Sequence, residues 1–365
     1  MFSGVYTGRR VLVTGHTGFK GAWLARWLLR LGARVGGYAL PPPTEPSLFA
    51  ALDWSRFDHC LGDVRDAAAV AARVESFQPE LIFHLAAQSL VRRSHADPVE
   101  TFATNVLGTV HLLEAVRRAG RPCAVVVVTS DKCYQETGDR RPRTEADPLG
   151  GTDPYSASKA GAEIAAAAYG RSFFEPERRV ALATARAGNV IGGGDWAEDR
   201  LLPDCVRALQ AGRPIRVRHP EAVRPWQHVL EPLSGYLWLG VHLWRSVGQG
   251  HPGPAGAFNF GPEPDGHQKV SALVEAVLRR WPGRWERVTA PDDLRENECL
   301  RLSIDHAVRQ LDWRPVWDFS TAVERTVHWY QTLARDGIGG AAELTDADLA
   351  AYGQSALQLG RPWAQ

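Results

Sequence analysis

AVVVVTSDKCY, residues 124–134, decides how the rest of the chain is read. Four consecutive valines with no polar break suit a strand covered on both faces, the pattern of an inner strand of a parallel sheet. Thr129, Ser130, Asp131 and Lys132 then fall where the strand runs out. Ligands of open parallel sheets lie outside the carboxyl ends of the strands, so a hydroxyl, a carboxyl and an amine at that place point to proton transfer.

Upstream, RVLVT (residues 10–14) is a second buried-type strand. It runs into Gly15-His16-Thr17-Gly18-Phe19-Lys20-Gly21 and then the amphipathic AWLARWLLRLG. Strand, glycine turn and helix make a dinucleotide-phosphate site, because glycines admit the pyrophosphate to the backbone and a helix N-terminus is partly positive. Gly15, Thr17, Gly18, Phe19 and Gly21 are therefore cofactor-binding candidates, although the spacing is GxxGxxG and not GxGxxG. Arg34 to Leu40 is a further strand. It leads into Pro41-Pro42-Pro43-Thr44, without the acidic residue that usually holds the adenosine ribose. Asp63 and Val64, after a short strand, are candidates for the adenine edge. Leu81 to Gln88 (LIFHLAAQ) reads as a strand whose small end, Leu85-Ala86-Ala87-Gln88, lets a cofactor approach. Val99 to Ala119 reads as one long helix, with Asn105 an unusual polar residue on a packed face.

Downstream, a Pro/Gly/Arg-rich loop (138–152) precedes Asp153-Pro154-Tyr155-Ser156-Ala157-Ser158-Lys159, which opens an alanine-rich helix. Tyr155 and Lys159 lie four apart, on one face. An ammonium beside a tyrosine favours the phenolate and brings a poor base toward the useful range. Only four lysines stand against 38 arginines. Lysine can lose its proton where arginine cannot, so the placement of three lysines in these motifs (Lys20, Lys132, Lys159) adds weight to acid–base work.

Composition narrows the partners. A net charge of +1 and a pI near 7.8 provide no field for nucleic acid or an anionic membrane. Five scattered cysteines lack disulfide or zinc spacing, and the N-terminus lacks a signal-peptide pattern, so the reading is a cytoplasmic protein with small-molecule partners and no metal.

The glycine turn, HLAAQ, Ser130 and the Tyr155/Lys159 pair resemble the extended short-chain dehydrogenase/reductase family, and the resemblance covers nearly the whole chain. GHTGFKGAWL (from Gly15), TSDKCY (from Thr129), RAGNVIGGGDWAEDRLLPD (from Arg186) and RPWQHVLEPL (from Arg224) are similar to its sugar-nucleotide 4,6-dehydratase branch. The resemblance implies an α/β fold, a Rossmann-type doubly wound parallel sheet with a smaller, interleaved C-terminal substrate lobe. It also implies an NAD-binding part at 1–185 with returns near 222–250, a nucleotide-sugar-binding part mainly at 186–336, and a tail at 337–365. It implies NAD as cofactor, CDP-glucose as substrate, and a homodimer or higher homo-oligomer paired through the helices at 99–119 and 156–169.

Within that frame Tyr155 is the base at C4, helped by Lys159 and Ser130. Asp131 and Lys132 are acid and base for the elimination across C5 and C6. Asn189, Arg200, Arg224 and Arg301 are substrate-binding candidates, the arginines for a pyrophosphate. Gly192-Gly193-Gly194 reads as a flexible break, and Gln249 to Ala257 and Gly261 to Gly266 as loops. One or two of the ten tryptophans beyond Asp195 are expected against a base. A 4-epimerase would share Ser130, Tyr155 and Lys159 but has no use for the Asp131-Lys132 pair; a dehydratase of another sugar nucleotide and an NAD-binding regulator without chemistry are the remaining alternatives.

Overall fold

The computed structural model describes residues 1–248, 253–288 and 299–365; the first four residues of the Gln249–Ala257 loop lie outside them. Strands β1 (Arg10–Thr14), β2 (Arg34–Ala39), β3 (Asp58–Leu61), β4 (Leu81–His84), β5 (Cys123–Val128) and β6 (Val180–Arg186) join Gly256–Asn259 in one sheet. Among the described residues the order is Gly256–Asn259, β6, β5, β4, β1, β2, β3, with every pairing parallel. The chain builds outward one way from β1 and the other way from β4. The strand order therefore reverses between these two, where doubly wound sheets open their ligand crevice. All six residues of β5 are buried, as its unbroken valines require.

Helix α1 (Phe19–Arg30) and the nearly all-buried helix Leu230–Ser246 contribute to the larger apolar core; Gly108–Ala119 and Ala67–Phe77 contribute to the second. β4 is shorter than the sequence suggests. Leu85 N–H donates to Thr14 O at 3.1 Å and Ala86 N–H to Thr14 Oγ1 at 3.2 Å, so residues 85–88 leave the ladder over the end of β1 and line the cleft.

The long helix from Pro98 to Ala119 contains a π turn at Ala103–Leu107. That turn holds Asn105, and such insertions accompany functional sites. The glycine triplet 192–194 is buried and tightly packed, not a flexible break. A Cβ on Gly193 would collide with the Trp329 ring, and one on Gly194 would press on Leu48.

Residues beyond Asp336, where the sequence carries no functional signal, form helix Ala341–Gln358 and join the larger apolar core. Tyr352 is fully buried there, stacked on Trp363, and donates to Glu231 Oε2 at 2.7 Å. Glu231 also accepts the backbone N–H groups of Val316 and Trp317 at 2.9 and 2.7 Å, tying three distant segments together. Most tryptophans are core residues, among them Trp313, Trp329 and Trp363; Trp196 and Trp226 reach the cleft.

Candidate active site

A cleft of about 1500 Å³ runs across the carboxyl ends of the strands, from the glycine turn to the loops after β6. At one end, Gly15 has φ +75°, and a Cβ there would come within 2.7 Å of Ala86 N. A Cβ on Gly21 would strike the Gly15 carbonyl. Gly18 is the N-cap of α1 and makes no side-chain cap, so the first N–H groups of that helix are left for an anion. This bare turn fits a dinucleotide pyrophosphate. Thr17, Phe19, Asp63, Val64 and residues 85–88 line the same cleft.

Two cofactor candidates are held in ways the sequence did not show. Asp63 is bound by Arg65, whose guanidinium holds its carboxyl below the usual range. Asn105 is absent from the lining and works from behind. Its Oδ1 accepts Gln88 N–H at 2.9 Å, and its amide donates to Gln88 O at 3.0 Å and Ser158 Oγ at 2.8 Å. It therefore fixes the end of the β4 segment to the helix that carries Tyr155.

At the end of β5, Ser130, Asp131 and Lys132 line the cleft together with Tyr155 and Lys159. Ser130 caps the short turn Asp131–Cys133 by accepting Lys132 N–H at 3.2 Å, and its hydroxyl donates to Asp131 Oδ1 at 3.1 Å. Asp131 Oδ2 is buried without a hydrogen-bond partner. Both carboxylate oxygens lie where a Cβ on Gly188 would stand, so only glycine fits beneath this acid. Helix Pro154–Tyr169 starts on Asp153, which accepts Ser156 N–H at 2.9 Å, and Pro154 occupies its first turn. Tyr155 and Lys159 are buried on its inner face.

The electrostatics differ from the expectation in one respect. Burial pushes the Tyr155 phenol up to about 12; the Ser130 hydroxyl opposes this, Asp131 adds to it and Arg200 opposes it. No hydrogen bond joins Lys159 to Tyr155. The amine is brought down to about 8 by burial and turns to Val128 O at 3.4 Å. Distance four along a helix puts the two on one face, but the amine's hydrogen bond goes to the backbone and not to the phenol. The phenolate that can take a proton is therefore the minor form at neutral pH.

Three neighbours of the site received no role from sequence reasoning. Lys20 is brought down to about 7 by burial and by Arg200 and Lys159, against Asp131, and donates to Tyr236 Oη at 3.1 Å. Its scarcity as a lysine was the available signal. Gly188 sits inside the RAGNVIGGG string, and Tyr236 hides in an apolar helix without any signal. Of the substrate candidates, Asn189 (φ 42°), Arg200 and Arg224 line the cleft. Arg200 bonds Asp195 Oδ2 at 3.0 Å and Ser89 Oγ at 3.1 Å, and Arg224 is buried. Arg301 is not among the lining residues; its backbone carbonyl is taken by Arg143.

Residues 11–247 match the sequence profile of the NAD dependent epimerase/dehydratase family. A CDP-glucose 4,6-dehydratase of Salmonella typhimurium is 43% identical over 337 residues, covering 90% of this chain and 92% of its own. A dTDP-glucose 4,6-dehydratase of Streptomyces antibioticus is 30% identical, covering 88% and 92%. The structure of a dTDP-glucose 4,6-dehydratase from Streptomyces venezuelae, solved with NAD bound, superposes with a TM-score of 0.75 at 27% identity, over 88% of this chain and 97% of that one.

Proposed function

Because the chain belongs to the NAD dependent epimerase/dehydratase family, we propose that it is a hydro-lyase that converts CDP-glucose to CDP-4-keto-6-deoxyglucose, with NAD as its cofactor. The observation that carries this reading is the Asp131-Lys132 pair standing in one cleft with Ser130, Tyr155 and Lys159. A 4-epimerase has no step for that pair. The 43% identity to a CDP-glucose enzyme supports cytidine as the base.

The glycine turn and residues 85–88 would hold NAD, which would supply the site with a hydride acceptor and donor and, when oxidised, a positive charge. The protein's own part is proton handling. Tyr155 takes the proton of the C4 hydroxyl, which Ser130 orients. The resulting C4 ketone acidifies C5–H; Lys132, as its neutral amine, removes that proton, and Asp131, as its protonated carboxyl, protonates the departing C6 hydroxyl, which leaves as water. Lys132 returns a proton to C5 at the end. Arg200 and Arg224 are placed to hold the pyrophosphate.

The test is product analysis by mass and NMR with CDP-, dTDP-, UDP- and GDP-glucose. Loss of one water with a C4 carbonyl and a C6 methyl from CDP-glucose alone supports the reading, and an unchanged mass with inverted C4 replaces it with epimerisation. Lys132→Ala is expected to lower the rate by about two powers of ten or more, the usual contribution of a general base. A variant with near wild-type turnover removes Lys132 from that role.

A homodimer paired through the helices at 98–119 and 154–169 follows from the same reading. Val99, Phe102, Leu107 and Ile164 expose 77%, 41%, 52% and 60% of their surface there, apolar groups that a pairing of these helices would cover. Light scattering should give twice the chain mass, and Ile164→Asp should shift it to the single mass. We place the enzyme in the cytoplasm. The five cysteines carried as free thiols support this, and among the described residues no helix is long and apolar enough to cross a membrane.

A further inference from the structure

One acidic residue of the cleft has no part in the proposed reaction. Asp199 lies in the turn between the glycine triplet 192–194 and helix Leu201–Gln210, with its backbone in the left-handed region at φ 58°. A non-glycine residue in that region is uncommon and marks a turn that its surroundings hold. Its carboxylate meets two positive charges: Oδ1 stands 3.4 Å from Arg92 Nε and 3.5 Å from Arg218 Nη2. Arg92 belongs to helix Val91–Ala96, past the end of β4, and Arg218 follows strand Ile215–Val217. All three residues line the cleft, so the carboxylate ties its cofactor side to its substrate side. The next residue makes the same crossing, since Arg200 bonds both Asp195 and Ser89.

Both contacts of Asp199 are ion pairs longer than hydrogen bonds. Among the described residues neither Arg92 nor Arg218 makes a hydrogen bond or a second ion pair, and their side chains are 40% and 27% exposed. Exposed pairs of this kind hold weakly. A guanidinium carries five N–H donors in a fork, and one shared carboxylate oxygen uses little of that capacity. A diphosphate brings more charge and more acceptor oxygens, in the geometry that two arginines match best.

Resting on the sugar-nucleotide reading above, we propose that Asp199 is an internal competitor for the diphosphate of the substrate. It occupies Arg92 and Arg218 until the diphosphate displaces it and takes both guanidiniums. No covalent bond changes; one set of ion pairs replaces another. Asp199 thereby sets specificity for the phosphate chain. A nucleoside gains nothing from the two arginines, and a monophosphate has a single phosphate to set against the carboxylate. Ligands shorter than a diphosphate are thus disfavoured by a repelling group as well as by missing contacts.

The experiment is calorimetric titration of the NAD-loaded protein with CDP, CMP and cytidine, in the wild type and in Asp199→Asn. Asparagine keeps the size of the side chain and tolerates a positive φ, so the turn is retained while the charge is lost. The variant is expected to bind CDP about three- to tenfold more tightly, the range that two exposed ion pairs account for, with cytidine unchanged. The KM for CDP-glucose should fall while kcat does not rise. Arg92→Ala and Arg218→Ala should each weaken CDP several-fold and leave cytidine and NAD as they were. The proposal is overturned if Asp199→Asn binds CDP no more tightly than the wild type, since the carboxylate then only positions the arginines or stands apart from the phosphates. It is also overturned if both arginine variants bind CDP as the wild type does. A wild type that binds none of CDP, dTDP, UDP and GDP sinks the sugar-nucleotide reading itself, a separate result visible before any variant is made.

Discussion

Tyr155→Phe is expected to lower turnover of CDP-glucose by about three powers of ten while leaving NAD binding intact, as judged by calorimetric titration and a product assay. The substitution removes one oxygen from a side chain whose ring stays packed, so folding has little reason to fail. That oxygen has no second protein group to replace it: Lys159 is turned to Val128, and Ser130 is a weaker base than a phenolate. The pH profile is the sharper check. Burial holds the phenol at about 12, so its deprotonated fraction grows with pH across the neutral range, and the wild-type rate should climb with pH along that limb. In the phenylalanine variant the climb should vanish. A variant that keeps the same slope shows that another group is the base at C4.

Glu163→Ala is expected to destabilise the fold by about 3–5 kcal/mol, read from denaturant unfolding, because it strips a buried ion pair of one partner. Glu163 and Arg186 have side chains only 3% and 4% exposed and meet at 2.7 Å. The carboxylate also accepts the hydroxyls of Thr129 and, at 2.7 Å, Thr184. The guanidinium stacks 4.8 Å from the Tyr134 ring, and its Nε and Nη1 already lack partners, so the loss of Glu163 leaves a charge with no compensation in the core. Thr129 precedes Ser130, and the same variant should loosen the end of β5. An unfolding free energy within about 0.5 kcal/mol of wild type would mean that water reaches Arg186 and that the pair contributes no net stability.

The two effects show how differently the site and its support were legible. Ser130, Asp131, Lys132, Tyr155 and the glycine turn could be read from short strings, because each string joins a local backbone form to a side-chain type. Glu163 could not be singled out: in an alanine-rich helix a lone glutamate looks like a solvent-facing residue, and its three partners lie just past the end of β5 and on β6. Asn105 was visible only as an oddity. Its meaning needed the π turn, which shifts the helical register by one residue and aims the amide at Gln88. Arg301 carried the right chemistry for a phosphate and is not among the residues that line the cleft.

The sequence by itself determined the sheet, the glycine turn and the groups that meet in the cleft. Unbroken apolar runs, glycine spacing and helical periodicity are local properties, governed by sterics within a few residues. Only the tertiary structure decided how those groups are charged and connected. Desolvation and hydrogen bonding depend on what distant segments bring near: Lys20 from the first helix meets Tyr236 from a helix over 200 positions away, Gly188 opens space under Asp131, and Lys159 turns from Tyr155 to the end of β5. A proton's position is set by the free-energy difference between two charged arrangements, and burial multiplies that difference where no nearby sequence pattern records it.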